Sequence, residues 1–143
     1  MNNQTLFDPT GRLVDNELAD ADLQGCVNLA MRQQNVQVAM QLNILSCANS
    51  EVESLERIVQ LSQLRFLNLA NNRISNVTPL EALLQLGGLN LSNNRITDIN
   101  PLLNIPTLAS VSLLGNNNIP CRQLDILEDR LGNSLTRPER CRD

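Results

Sequence analysis

Residues 64–85 read LRFLNLANNRISNVTPLEALLQ, and residues 86–107 read LGGLNLSNNRITDINPLLNIPT. Superposed, they share Leu at the first, fourth and sixth places, then Asn-Asn-Arg-Ile, then Pro at the sixteenth. Working outward, residues 42–63 diverge more but keep apolar residues in step: Leu42, Leu45, Cys47, Val52, Leu55, Ile58 and Leu61. Residues from 108 onward keep Leu108, Val111, Leu113 and Asn116 before the pattern departs. The chain therefore carries four repeats of 22 residues, starting near 42, 64, 86 and 108. Self-similarity at that period is the mark of a stacked-coil architecture.

Each repeat has two physical parts. Leu67-x-Leu69 and Leu89-x-Leu91 have period two, which predicts short strands with alternate side chains buried. Asn72 and Asn94 follow where the chain must turn. An amide there can bond the backbone of its own coil and of the next. In the return, Ile74, Val77 and Leu80 are spaced by three, which suits 3₁₀ turns. Pro79 and Pro101 limit regular α-helix in that segment. One coil cannot bury its Leu ridge alone, but neighbours stacked about 4.8 Å apart share a continuous core.

Composition agrees. The 143 residues hold 27 Leu and 20 Asn but only two Phe, with no Trp or Tyr. Apolar mass is thus aliphatic, where an ordinary globule uses aromatic bulk. All eleven basic residues are Arg and are scattered, and the net charge is −4, so there is no electrostatic footprint for nucleic acid. Residues 1–41 carry five acids against two Arg, a solvated acidic face rather than a metal site. No apolar run reaches the ~18–20 residues of a membrane-spanning helix.

These repeats resemble the leucine-rich-repeat family, in the 22-residue bacterial class typified by the internalins, over residues 42–119. The resemblance implies an α/β fold: a right-handed solenoid with a short parallel sheet on the concave face. It implies 3₁₀ or loop structure on the convex face and helical caps at both ends. The expected organisation is one domain: tail and capping helix in 1–41, repeats in 42–119, helical cap in 120–143.

The caps have their own sequence signals. Leu23, Cys26, Val27 and Ala30 lie at i, i+3, i+4 and i+7, one face of a helix predicted over about 16–34. Asp20 and Asp22 suit its first turn, and Gly25 weakens it. Pro120 suits a first helical residue. Cys121, Leu124, Ile126 or Leu127, and Leu131 then line one face, and Gly132 is a stop. Cys47 stands at the sixth repeat place, where Leu69 and Leu91 point inward. The natural pairing is local, Cys26–Cys47 and Cys121–Cys141, although four cysteines allow three connectivities. Four reduced, buried thiols of a cytosolic protein are the alternative. The cysteine pattern also resembles capped repeat domains of secreted or envelope-anchored bacterial proteins, with a leader absent from this chain.

Nothing in the sequence suggests catalysis or a cofactor. There is no His, no Gly-rich phosphate loop and no Gly-x-Ser-x-Gly. Gly87-Gly88 reads as a strand with bare backbone, and the acid pairs Glu51/Glu53 and Glu128/Asp129 as surface charge. Asn-x-Ser/Thr triplets at Asn3, Asn76 and Asn90 are incidental in so Asn-rich a chain. Cys-x-x-Cys is absent, which argues against zinc.

The expected function is non-enzymatic protein binding by a monomer, outside the cytoplasm or in the cell envelope. An envelope spacer or lipoprotein domain without a defined partner, and a cytosolic regulatory scaffold, are the alternatives. The third, fifth and seventh places of each repeat would face a partner. From these and their flanks, Ile44, Arg65, Phe66, Asn68, Asn90, Ser92 and Ser112 are the candidate contacts. Phe66 with Ile44 is the expected anchor. Internalins that grip receptors have aromatic-rich concave faces, and this chain departs from that with a single Phe. Arg73 and Arg95 are expected on a solvated edge, with Asp98 a weak ion-pair partner of Arg95.

Overall fold

A computed structural model of the chain describes residues 18–143. The Asn3 triplet, the N-terminal tail and the first two residues of the predicted capping helix lie outside the described residues. Helix α1 (Ala21–Gln34) leads into strands β1 (Ile44–Ser46), β2 (Phe66–Asn68), β3 (Gly88–Asn90) and β4 (Ser110–Ser112). Helix α2 (Cys121–Leu131) and strand β5 (Leu135–Thr136) follow. All five strands are parallel and lie side by side in chain order. Leu45, Leu67, Leu89 and Val111 are successive register partners, so each strand repeats the one before at a step of 22 residues.

The sequence pattern explains this directly. Leu42, Leu64, Leu86 and Leu108 are buried, as are Leu45, Leu67, Leu89 and Val111 at the fourth place. Cys47, Leu69, Leu91 and Leu113 at the sixth place complete the ridge. Burying a Leu side chain contributes about 1.5–3 kcal/mol, and no single coil could do so alone. The returns hold 3₁₀ turns at Ile58–Leu61, Thr78–Ala82 and Asn100–Asn104. Pro79 and Pro101 sit in the first turn of the latter two, where a missing N–H costs nothing.

Two Asn residues divide the work of each turn. At the eighth place Asn49, Asn71 and Asn93 adopt left-handed φ of 59°, 62° and 58°, and Gly115 stands there at 86°. Asn tolerates that region better than other side chains. At the ninth place the amides of Asn72, Asn94 and Asn116 form a ladder between coils. Asn72 Nδ2 donates to Leu69 O in its own coil and to Cys47 O in the preceding one, both at 2.9 Å. Its Oδ1 accepts from Ser50 N at 3.0 Å and Val52 N at 2.9 Å.

At the first end, α1 lays Leu23, Val27, Ala30 and Met31 on the core, and Gln34 Nε2 donates to Ile44 O at the outer edge of β1. Disulfide Cys26–Cys47 ties the helix to the first coil, with Cα atoms 5.9 Å apart. The helix begins at Ala21 rather than near 16 because Asp20 caps it, Oδ1 accepting from Asp22 N and Leu23 N. Its other oxygen accepts from Glu53 N and Ser54 N of the first coil.

Burial pushes the Asp20 carboxyl up, but the backbone donors at Glu53, Ser54, Leu23 and Asp22 together hold it below the ordinary carboxylate value. A depressed folded-state pKa means that this group's contribution is fully present above the unfolded value of about 4 and is lost as pH falls through the folded one. Asp20→Asn should therefore be less stable at neutral pH and show a shallower acid slope below about pH 4. Denaturant titrations at stepped pH check this, and identical slopes in both proteins would refute it.

At the second end, disulfide Cys121–Cys141 spans Cα atoms 5.0 Å apart. Helix α2 buries Leu124 and Leu127 and leaves Ile126 exposed, which resolves the ambiguous face. Arg130 donates to the carbonyls of Leu103, Ile105 and Leu108, and Gln123 Oε1 accepts from Ile99 N, so α2 satisfies backbone groups of the last full coil. Strand β5 was not anticipated by the repeat pattern. Leu135 is register partner of Val111, 24 residues earlier, because the α2 cap has replaced the usual return. Arg137 beside it donates to Glu128 and Asp125, which raise its pKa further.

Candidate functional site

The solvent side of the sheet is built from the third and fifth repeat places. Ile44 and Phe66 are register partners on β1 and β2, and are 56% and 45% exposed. Apolar side chains that large, side by side in water, are the least explained feature of the coil surface. The next residue in the row is Gly88. A Cβ there would lie 2.6 Å from Phe66 Cδ1, so the ring lies over bare backbone. That contact accounts for the small residue at the third place of this repeat.

Polar groups of the same face are partly committed. Asn68 Oδ1 accepts from Ala70 N, and Asn90 Oδ1 accepts from Ser92 N, each at 3.0 Å. These local turns fix both half-buried amides with Nδ2 as the remaining donor. Ser92 is buried, and its hydroxyl shares a 2.7 Å hydrogen bond with that of half-buried Ser112. Ala70, also at the seventh place, is buried too. The structure thus exposes Ile44, Arg65 and Phe66, half-buries Asn68, Asn90 and Ser112, and buries Ser92 against Ser112.

Other residues singled out in the sequence serve the coils. Asn76 Oδ1 accepts from Thr78 N and Asp98 Oδ1 from Asn100 N. Ser54 Oγ accepts from Glu56 N at the same thirteenth place. The expected ion pair of Arg95 with Asp98 is not formed among the described residues. Arg73 instead reaches back one coil, to Glu51 at 3.6 Å and Glu53 at 3.7 Å. No group of three metal-ligating side chains occurs among the described residues. No helix among them is long and apolar enough to cross a membrane.

Two solved structures share this geometry. Internalin C2 from Listeria monocytogenes superposes with a TM-score of 0.64 at 24% identity, covering 72% of this chain and 48% of that one. The fold is the leucine-rich-repeat solenoid of the internalins. An internalin, InlF, from the same organism matches with a TM-score of 0.63 at 22% identity, over 96% of this chain and 47% of that one. The chain therefore spans about half the length of the solved internalins it matches. No protein-family model and no curated protein sequence matches it.

Proposed function

We propose that this internalin-like solenoid is a non-enzymatic protein-binding module, acting in a secreted or cell-envelope protein. Residues 1–143 would make one domain, capped in 1–41 and 120–143 around the repeats of 42–119. The observation that carries the reading is the exposed Ile44–Phe66 pair on neighbouring strands. A ring and an aliphatic side chain held on rigid sheet cost little entropy to immobilise and lose water on contact. Both pairs of cysteines are bridged, which favours an oxidising compartment.

Phe66→Ala tests it. The change uncovers Gly88 but leaves the core ridge untouched, so the variant should stay folded and melt only modestly below the wild type. Loss of a central aromatic anchor commonly costs about 2 kcal/mol or more, roughly thirtyfold in affinity. Extracellular or envelope extract passed over immobilised wild type should yield a protein that the variant retains roughly tenfold more weakly or worse. Identical retention by both proteins would dispose of the sheet-face reading.

A further inference from the structure

We infer that the segment bound on this face carries a carboxylate beside its apolar anchor. The inference rests on the sheet-face reading above and adds the chemistry of the partner. At the solvent-facing places of β1 to β4, and at the residue leading into each strand, Arg65 is the one charged side chain. It is exposed, it directly precedes Phe66, and no acidic group lies within ion-pair distance of it among the described residues. That sets it apart from Arg73 and Arg137, each of which spans two carboxylates. In a chain of net charge −4, the strand face carries this cation and no acid.

The neighbouring polar groups have the same sense. Asn68 and Asn90 have their oxygens engaged by Ala70 N and Ser92 N, which leaves each N–H₂ group as a donor. The Arg65 guanidinium, next in sequence to Phe66, and the two amide N–H₂ groups on β2 and β3 are thus all donors. Such a set suits a peptide segment with an acidic side chain and free backbone carbonyls next to a Leu- or Phe-like residue. An Arg fork binds carboxylate bidentately, and closure of the apolar contact shields that pair from water. A basic segment would meet like charge and a second set of donors.

The test uses the intact, disulfide-bonded chain and synthetic peptides in which one Leu or Phe stands one to three residues from Asp, Asn or Lys. Binding is read by fluorescence polarisation at low and moderate salt. Asp peptides should bind about tenfold more tightly than their Asn counterparts, and the margin should shrink as salt rises. Arg65→Glu, an exposed change that should leave the melting curve intact, should transfer the preference to Lys peptides. Equal binding of Asp and Asn peptides that Phe66→Ala abolishes would overturn the acidic partner and leave the binding face standing. Failure of every peptide to bind would also overturn it. The extract comparison with Phe66→Ala then judges the face by itself.

Discussion

Cys47→Ser is expected to destabilise the protein more than Cys26→Ser, although both break the same bond. Either change opens a loop closed across a sequence separation of 21 residues. In the chain-entropy model that cross-link is worth about 3 kcal/mol. For a chain of this size, that corresponds to a drop of roughly 10 °C in melting temperature. The two sites differ in what the new hydroxyl meets. Cys26 is half-buried at the rim of α1, whereas Cys47 is 1% exposed, in line with Leu69 and Leu91 under the sheet. A hydroxyl in an apolar site without a partner costs a further ~1–3 kcal/mol. Chemical denaturation of both variants in oxidising buffer measures the gap. Equal losses would mean that the hydroxyl introduced by Cys47→Ser had found a partner in the core. No loss in either would remove the bridge from the account of the N-terminal cap.

Most of this fold was legible because its physics repeats. Leu at the first, fourth and sixth places is demanded by one buried ridge, and Asn72 and Asn94 by the unpaired backbone of one turn. Repetition let each coil act as a check on the others. The first coil stayed readable through apolar spacing alone, since Val52, Leu55, Ile58 and Leu61 all proved buried. Strand β5 was not legible, because two residues set by a helical cap have no repeat to align with.

The candidate site was legible only in part. Exposure of Ile44 and Phe66 followed from strand alternation. The burial of Ser92 did not, because it depends on the Ser112 hydroxyl of the next strand, and Leu114 at the same seventh place is exposed. Nor did the orientation of Asn68 and Asn90, which depends on N–H groups two residues away. The left-handed eighth place had a signal, Asn-Asn-Asn-Gly down the four repeats, that a strand-centred reading passes over.

Asn72→Ala should cost roughly 3–5 kcal/mol, and clearly more than Asn94→Ala, although the two residues occupy the same place in adjacent repeats. The difference follows from which backbone groups each leaves without a partner. Removing the Asn72 amide orphans Ser50 N, Val52 N and Cys47 O. Leu69 O keeps the bond from Asn94 Nδ2, and Ala70 O keeps that from Asn49 N. Val52 is fully buried, so water cannot replace what its coil loses. Removing the Asn94 amide orphans Ile74 N alone. Leu69 O is still held by Asn72, Leu91 O by Asn116 and Ser92 O by Asn71 N. Each buried group left unsatisfied costs about 1–3 kcal/mol, so the Asn94 variant should lose only ~1–2 kcal/mol. Denaturant unfolding of the two variants beside the wild type reads the difference. If the losses are equal, side-chain volume in the turn, rather than the count of satisfied backbone groups, is what the ninth-place Asn supplies. If Asn72→Ala is much the worse, the ladder is strongest beside the N-terminal cap, where the divergent first coil has Ser50 rather than Asn at the ninth place.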